Sequence, residues 1–346
     1  MKLYEILLKP TAGLGTPIKG DTLFGHFCWQ AAHDPNLLEG GLERWVTLYG
    51  QRPFAVFSTA FPCFLNNGQK KYALKKPDLP PDLWVRDLPE DKIEWLKKRK
   101  EFKKKKWILI DKVSELDLSS VTVSGEEELA SLAFEYLSDE TKRLLQKTRQ
   151  KHYLSMMNQP HNTINRLTQT TGPAPFAPYV REVSWFFPGA LLAVFVMIDQ
   201  GATDIERIRK GLSTIGQWGY GRDASIGMGK FEIMDCTELP LPESREANAV
   251  YTMGPSAPRQ GVFRRMYFTP FVRFGKHGDR LASARNPFKN PVLMADEGAV
   301  FFPENQDFFQ NPYLGQAVND VSKTMKETIT QGYSIYLPLK LEVRHG

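Results

Sequence analysis

The chain has 346 residues, 42% apolar and 24% charged, with a net charge of +6 from 45 basic and 39 acidic side chains; that length predicts two domains and enough apolar residues for sizeable cores. Its longest apolar run, Ala190–Ile198, falls short of the roughly 20 residues that span a bilayer, and the N-terminal MKLYEILLK is broken by Glu5 and Lys9 where a signal peptide needs an apolar stretch, so a cytoplasmic location and no membrane partner are expected. Cys28, Cys63 and Cys236 form no CxxC pair and the six histidines fall at no ligand spacing, which leaves no expectation of a disulfide framework, a metal or a cofactor.

In chain order, KLYEILLK (2–9) alternates as a first strand, and TAGLGTPIKG then breaks the backbone with Gly13, Gly15, Pro17 and Gly20. Leu23, Phe24, Phe27, Cys28, Ala31 and Ala32 follow at helical spacing, with Asp21 where an N-cap belongs. FAVFSTAFPCFL (54–65) predicts a strand. A long insertion, about 66–178, comes next. It holds a proline-rich piece (77–89), a lysine run and a helical stretch over 126–151. The run, KKRKEFKKKK (97–106), carries eight basic residues and one acidic, net +7, so the rest of the chain is −1. It is either a solvated loop or an electrostatic contact for nucleic acid. YVREVSWFF (179–187) and ALLAVFVMI (190–198) flank Pro188-Gly189 and read as a hairpin. TDIERIRKGLSTIGQ (203–217) places Ile205, Ile208, Leu212 and Ile215 on one helical face, and KFEIMDC (230–236) is a strand.

The order βα, insertion, ββαβ predicts an α+β fold built on a ferredoxin-like (RRM-like) unit over 1–240. A linker is expected over 238–258, then a second, degenerate ferredoxin-like unit over 245–346. In that unit VLMADEGAVFF reads as a strand pair, PYLGQAVNDVSKTMKETI as a helix and SIYLPLKLEV as a closing strand.

Between the last helix and last strand of the first unit lies GYGRDASIGMGK (219–230). Gly219 to Ala224 match a dinucleotide fingerprint, but that motif needs a strand before it and a helix after, and here the order is reversed. Gly229-Lys230 precedes Phe231 rather than Ser or Thr, so it is not a Walker loop. What is left is a glycine-rich connection. Gly219, Gly221, Gly227 and Gly229 permit positive φ and close backbone approach, and Arg222, Ser225 and Lys230 can meet phosphates. A turn used for packing alone is the plain alternative.

This loop resembles the glycine-rich signature of the RAMP superfamily of CRISPR-associated RNA-binding proteins. GTPIKGDTLFGHFCW (15–29) is similar to the first loop and helix of the subunit that binds the crRNA 5′ handle in type III-A effector complexes. HNTINRLTQTTG (161–172) resembles the N-x-I-x-R-x-T thumb element of type III RAMP subunits, and NPVLMADEGAVF (290–301) fits the C-terminal half of the same subunit. The resemblance implies a non-catalytic architectural subunit that holds the crRNA 5′ handle and contacts a large polymerase/HD-type subunit and a backbone RAMP subunit. The residues it nominates for RNA binding are Lys19, Gly20, Thr22 and His26 in the first loop and helix, Asn162, Asn165 and Arg166 in the thumb element, and the glycine-loop residues above. In this reading the amides of Gly20, Thr22 and Leu23 face a phosphate at the positive end of the first helix, Asp21 is structural, Ile164 and Leu167 either wedge against bases or anchor the thumb, with anchoring favoured, and Asp223 pairs locally or faces solvent. The runner-up is a metal-independent endoribonuclease of the same superfamily, with His26 as general acid or base and Arg222 or Lys230 stabilising the phosphorane. A generic RRM-like regulator is disfavoured by the missing aromatic RNP1 pattern.

Overall fold

The structure is a computed structural model that describes residues 1–66, 68–83, 91–145, 151–243 and 246–341. Parts of four expected segments lie outside those residues: 84–89 of the proline-rich piece, 146–150 of the helical stretch, 244–245 of the linker and 342–343 of the closing strand.

The first unit runs β1 (Lys2–Pro10), α1 (Gly20–His33), α2 (Leu42–Leu48), β2 (Ala55–Phe57), β3 (Phe61–Asn66), β4 (Gln69–Lys75), α3 (Lys92–Lys104), β5 (Trp107–Ile110), β6 (Thr122–Ser124), α4 (Glu126–Glu135), α5 (Asp139–Leu145), β7 (Leu154–His161), β8 (Tyr179–Phe186), β9 (Leu191–Ile198), α6 (Ile205–Trp218) and β10 (Phe231–Leu239). Eight strands form one sheet in the order β10-β1-β9-β3-β4-β5-β6, with β2 beside β9. The part β10-β1-β9-β2/β3 has the ferredoxin strand order and every pairing in it is antiparallel. β9 is apolar along nearly its whole length because it is covered on both faces and paired on both edges. α1 buries Leu23, Phe24 and Phe27, and α6 buries Ile208, Leu212 and Ile215. The helical stripes read from the sequence are therefore the core-facing stripes.

The insertion does not stand alone. β4, β5 and β6 widen the first sheet, and α4 covers Phe64, Ala73, Tyr153 and Phe187 in a small separate core.

Three expectations for this unit are corrected. The strand over 54–65 is broken at Ser58–Ala60: the Ser58 hydroxyl receives the Phe195 amide at 2.8 Å, and the amides of Thr59 and Ala60 turn away to Met253 O (2.9 Å) and Ile18 O (3.0 Å). The hairpin across Pro188-Gly189 does not form. β8 pairs with β7, from Leu154↔Phe186 to His161↔Tyr179, while β9 takes β1, β2 and β3. β8 is only half apolar, with Val183 the one buried residue along it, so it suits a two-stranded ribbon better than the middle of a sheet. Finally, Asp21 is not the N-cap of α1. Lys19 holds that position with no side-chain cap bond, and Asp21 lies buried inside the first turn.

The second unit contains β11 (Ala249–Thr252), β12 (Phe263–Tyr267), β13 (Pro270–Arg273), β14 (Val292–Ala295), β15 (Val300–Pro303), β16 (Tyr313–Gly315) and β17 (Tyr333–Leu339). Five strands form a sheet in the order β12-β15-β11-β17-β16, and β13–β14 make a separate ribbon. The strands β12-β15-β11-β17 repeat the ferredoxin order, but the described residues of this half carry loops and 3-10 turns where a ferredoxin-like unit has helices. The helix expected over 312–329 is absent. Gly315 at φ 91° and Asp320 at φ 55° break it, and Leu314, Val318 and Val321 go instead to β16, a bridge to Thr330, and a cluster with Val292 and Met294. β14 and β15 exist as predicted but pair with other strands rather than each other. The expected linker contains β11, which is buried throughout.

One continuous apolar core joins Leu8, Phe57 and Phe195 to Tyr251, Phe302, Tyr333 and Leu337 across the two sheets. At its centre the buried Gln331 accepts from the Phe57 amide (3.0 Å) and donates to the Phe57 carbonyl (2.8 Å). That side chain stands in for a neighbouring strand at the short β2.

Candidate nucleic-acid interface

α6 ends at Gly219, whose φ of 107° turns the chain out of the helix, and the amide of Gly219 bonds Ile215 O at 2.8 Å. The loop then folds back on itself. The Tyr220 amide bonds Gly229 O at 2.9 Å. Gly229 has φ 74°, and a Cβ there would lie 2.1 Å from Tyr220 O, so no side chain fits. Gly221 and Gly227 also have positive φ, at 73° and 93°.

The glycine loop and the first loop interlock. Gly229 donates to Gly13 O (2.8 Å), Thr11 to Lys230 O (2.9 Å), and the Arg222 amide to Thr16 Oγ1 (3.0 Å). Tyr220, fully buried, donates its hydroxyl to Pro17 O (3.0 Å) and receives the Lys19 amide (3.2 Å). The Gly221 amide donates to His26 Nε2 at 3.1 Å, and the ring packs against Tyr220. His26 therefore presents a lone pair at Nε2, which requires the neutral ring. Burial, with the charge of Lys289 adding to it, lowers its pKa to about 4.

The ribbon β7–β8 is rooted at the same place. Leu14 and Ser184 exchange main-chain hydrogen bonds (2.8 and 2.9 Å). Arg181 and Arg222 both pair with the carboxylate of Asp223, which is only 8% exposed, and Arg222 Nη2 donates to Glu182 O at 2.7 Å. Asp223 thus pairs locally, as one of its two expected roles had it, and its second partner comes from the ribbon. On the outer surface Arg222, Ser225 and Lys230 are exposed beside Ile226.

The thumb element caps the far end of the ribbon. From Ser184 at the root to Tyr179 at the tip is five residues, about 17 Å of strand. Asn165 Oδ1 accepts the Leu167 amide at 2.9 Å, and its carbonyl accepts from Gln169. This tight turn leaves Asn162 and Arg166 exposed, and Ile164 and Leu167 are exposed too, so of their two expected roles the exposure disfavours anchoring and leaves their apolar side chains free to meet a base. The first loop and the glycine loop are therefore one site, and the thumb is reached from it along the ribbon.

The first turn of α1 differs from its expected role. The amides of Thr22 and Leu23 are not free, because both bond Lys19 O (3.1 and 2.9 Å). Gly20 is buried where the helix starts. Lys19 is part-buried and pairs with Asp296 and with Glu297 at 2.6 Å, and its ammonium lies 4.6 Å from the centre of the Phe271 ring. Asp21 pairs with Arg273, Oδ1 to Nη2 at 2.9 Å. Sequence reasoning missed Thr16, Tyr220 and Arg181. The signal for Arg181 was its place in a strand, hidden by giving that strand the wrong partner. Among the described residues, no group of His, Cys, Asp and Glu is arranged to hold a metal, and no helix is long and apolar enough to cross a membrane.

No family model matches the sequence, and no curated protein does. Solved structures are similar over essentially the whole chain. A chain of the Csm3-Csm4 subcomplex in the type III-A CRISPR-Cas interference complex aligns with TM-score 0.54 and 15% identity, covering 98% of this chain and 99% of that one. Chains of the Csm1-Csm4 cassette in complex with AMPPNP and with pppApA give 0.53 and 0.52, each at 16% identity and full coverage of both chains. At such identities the similarity establishes the fold, one shared with a chain of each of these type III-A assemblies, all of which contain Csm4.

Proposed function

We propose that this chain is a non-catalytic, RNA-holding subunit of a type III-A CRISPR effector complex. It binds the 5′ handle of a crRNA along the face made by the glycine loop, the ribbon and the thumb, and it links a large polymerase/HD-type subunit to a RAMP backbone subunit. The observation that carries this reading is the full-length match to chains from both a Csm1-Csm4 and a Csm3-Csm4 assembly, because a subunit found against both partners has the geometry of a bridge. The surface chemistry agrees. Arg222, Ser225 and Lys230 at the root and Asn162 and Arg166 at the tip offer donors on irregular backbone, the arrangement suited to a splayed single strand. Lys19, Gly20 and Thr22 contribute by fixing the loop rather than by touching phosphate.

The endoribonuclease reading gains no support from the site. A general acid or base needs an exchangeable nitrogen facing substrate, and the Nε2 of His26 is already bonded to the Gly221 amide.

The test is reconstitution. Co-expressed with the two partner subunits, the wild-type chain should yield a complex carrying crRNA. An R166A/R222A/K230A chain should still assemble but hold at least tenfold less, quantified by RNA extraction from the purified complex. Undiminished crRNA in that variant, or failure of the wild-type chain to join both partners, would overturn the proposal.

A further inference from the structure

The lysine run has no part in the site just described. Lys97–Lys104 lie in α3, and Lys105 and Lys106 lead into β5. The helix is properly begun: Asp91 Oδ2 accepts the amides of Ile93 (3.1 Å) and Glu94 (2.9 Å). Its cations surround the axis, since at about 100° per residue Lys97, Lys98, Arg99 and Lys100 alone cover most of a turn. Such a helix is not held by burying an apolar stripe. Lys76 of the loop after β4 ties it down instead, donating to Phe102 O with its ammonium 4.0 Å from the centre of that ring.

Two hollows flank the helix. One lies between α3, β4 and β5 and is lined by Lys75, Lys76, Lys103, Lys105, Lys106 and Trp107, with Asp78 and Glu297, the partners of Lys75 and Lys19, also on its lining. The other holds Trp95 and Phe102 with Lys98 and Arg99, and the Arg99 guanidinium stacks 4.9 Å from Trp95. Lys75 is satisfied by Asp78 and Asp296, and Lys105 by Glu128 at 3.7 Å. Among the described residues Lys97, Lys100, Lys103, Lys104 and Lys106 form no ion pair. Five ammonium groups that have no ion pair among the described residues, within one helix and its exit, repel each other, and a polyanion relieves that repulsion. The strand order puts this surface far from the glycine loop. That loop feeds β10 at one edge, and β5 lies five strands away, about 24 Å across the sheet.

We propose that α3 and the adjoining ends of β4 and β5 form a second docking surface, for the phosphates of a nucleic-acid strand, toward the opposite side of the sheet from the glycine loop. Lysine is depleted in the cores of protein–protein interfaces and is a common partner of phosphate backbones, and Trp95, Phe102 and Trp107 set aromatic faces beside the cations where bases can stack. The assignment does not depend on the function proposed above.

The experiment measures binding of labelled U20 RNA and T20 DNA to the full-length chain across a salt series, for wild type, for K97Q/K100Q/K103Q/K104Q/K106Q and for R166A/R222A/K230A. A single-stranded contact contributes about −0.7 to the slope of log K against log salt. The five-lysine variant should therefore flatten the slope by about 2–3.5 and weaken binding about tenfold or more, over and above the effect of the triple variant. Equal losses for RNA and DNA assign the surface to phosphate alone, and a larger loss for RNA adds ribose contacts; both support the proposal. In the wild-type chain, bound U20 should protect these lysines from acetylation, a readout that needs no variant. Unchanged slopes with unprotected lysines would overturn it. So would loss of poly-glutamate binding with nucleic-acid binding intact, which would assign the surface to an acidic protein.

Discussion

The amide of Gly221 ends on an imidazole rather than on water or carbonyl oxygen, and that single bond fixes the protonation state of His26. Its pKa in the folded chain, about 4, is below the ordinary value of 6.5, with burial the main cause and Lys289 the second. Between those two values the unfolded chain takes up the proton first, so stability is full above pH 6.5 and is lost as pH falls toward 4. The expected loss between pH 7 and 5 is about 2 kcal/mol. In His26→Gln, which keeps an acceptor but does not titrate, urea unfolding at the two pH values should show a loss smaller by about that amount. Equal losses in both proteins would show that some other group titrates. The sequence marked His26 as special, for RNA binding or for acid–base work. It did not reveal that the partner is the glycine loop, because nothing in local spacing encodes a contact 195 residues away.

At the level of elements, the β7–β8 ribbon is held to the body chiefly at its root, by the Leu14–Ser184 bridge and by Asp223 between Arg181 and Arg222. Asp223→Asn keeps a residue tolerant of the φ of 67° found there but removes the charge that gathers the two guanidinium groups. Trypsin should then cut the ribbon and thumb several-fold faster, while the midpoint of global unfolding moves by less than about 2 kcal/mol. Unchanged cleavage would mean that the main-chain bridge alone holds the root. The glycine loop, α1 and α6 were legible in the sequence because glycine clusters and a 3.6-residue period are local signals. The ribbon was not. A Pro-Gly step between two apolar runs carries the same signal whether the runs pair with each other or with strands elsewhere, and only the exposed alternation of β8 distinguishes the cases.

Across the whole molecule, two part-buried ion pairs pin α1 to the second unit: Lys19 with Asp296 and Glu297, and Asp21 with Arg273. Removing one partner from a pair that water partly reaches strands the other charge at a cost of about 1–3 kcal/mol, between the exposed and the fully buried cases. Lys19→Met is therefore expected to lower the melting temperature markedly, in one cooperative transition spanning both sheets, with no loss of RNA affinity in the protein that stays folded. A selective loss of RNA binding at unchanged stability would restore Lys19 to the RNA face. These pairs explain what the sequence withheld about GDTLFGH: its first residues look outward when read alone, and their partners lie some 250 residues downstream. The same separation governs how the protein is made. Phe57 in the first sheet has its amide and carbonyl completed by Gln331, so β2 keeps an open edge until a segment 274 residues downstream has been made and folded back. Long-range closure of this kind is slow, and until it is complete the uncovered strand edge is open to aggregation.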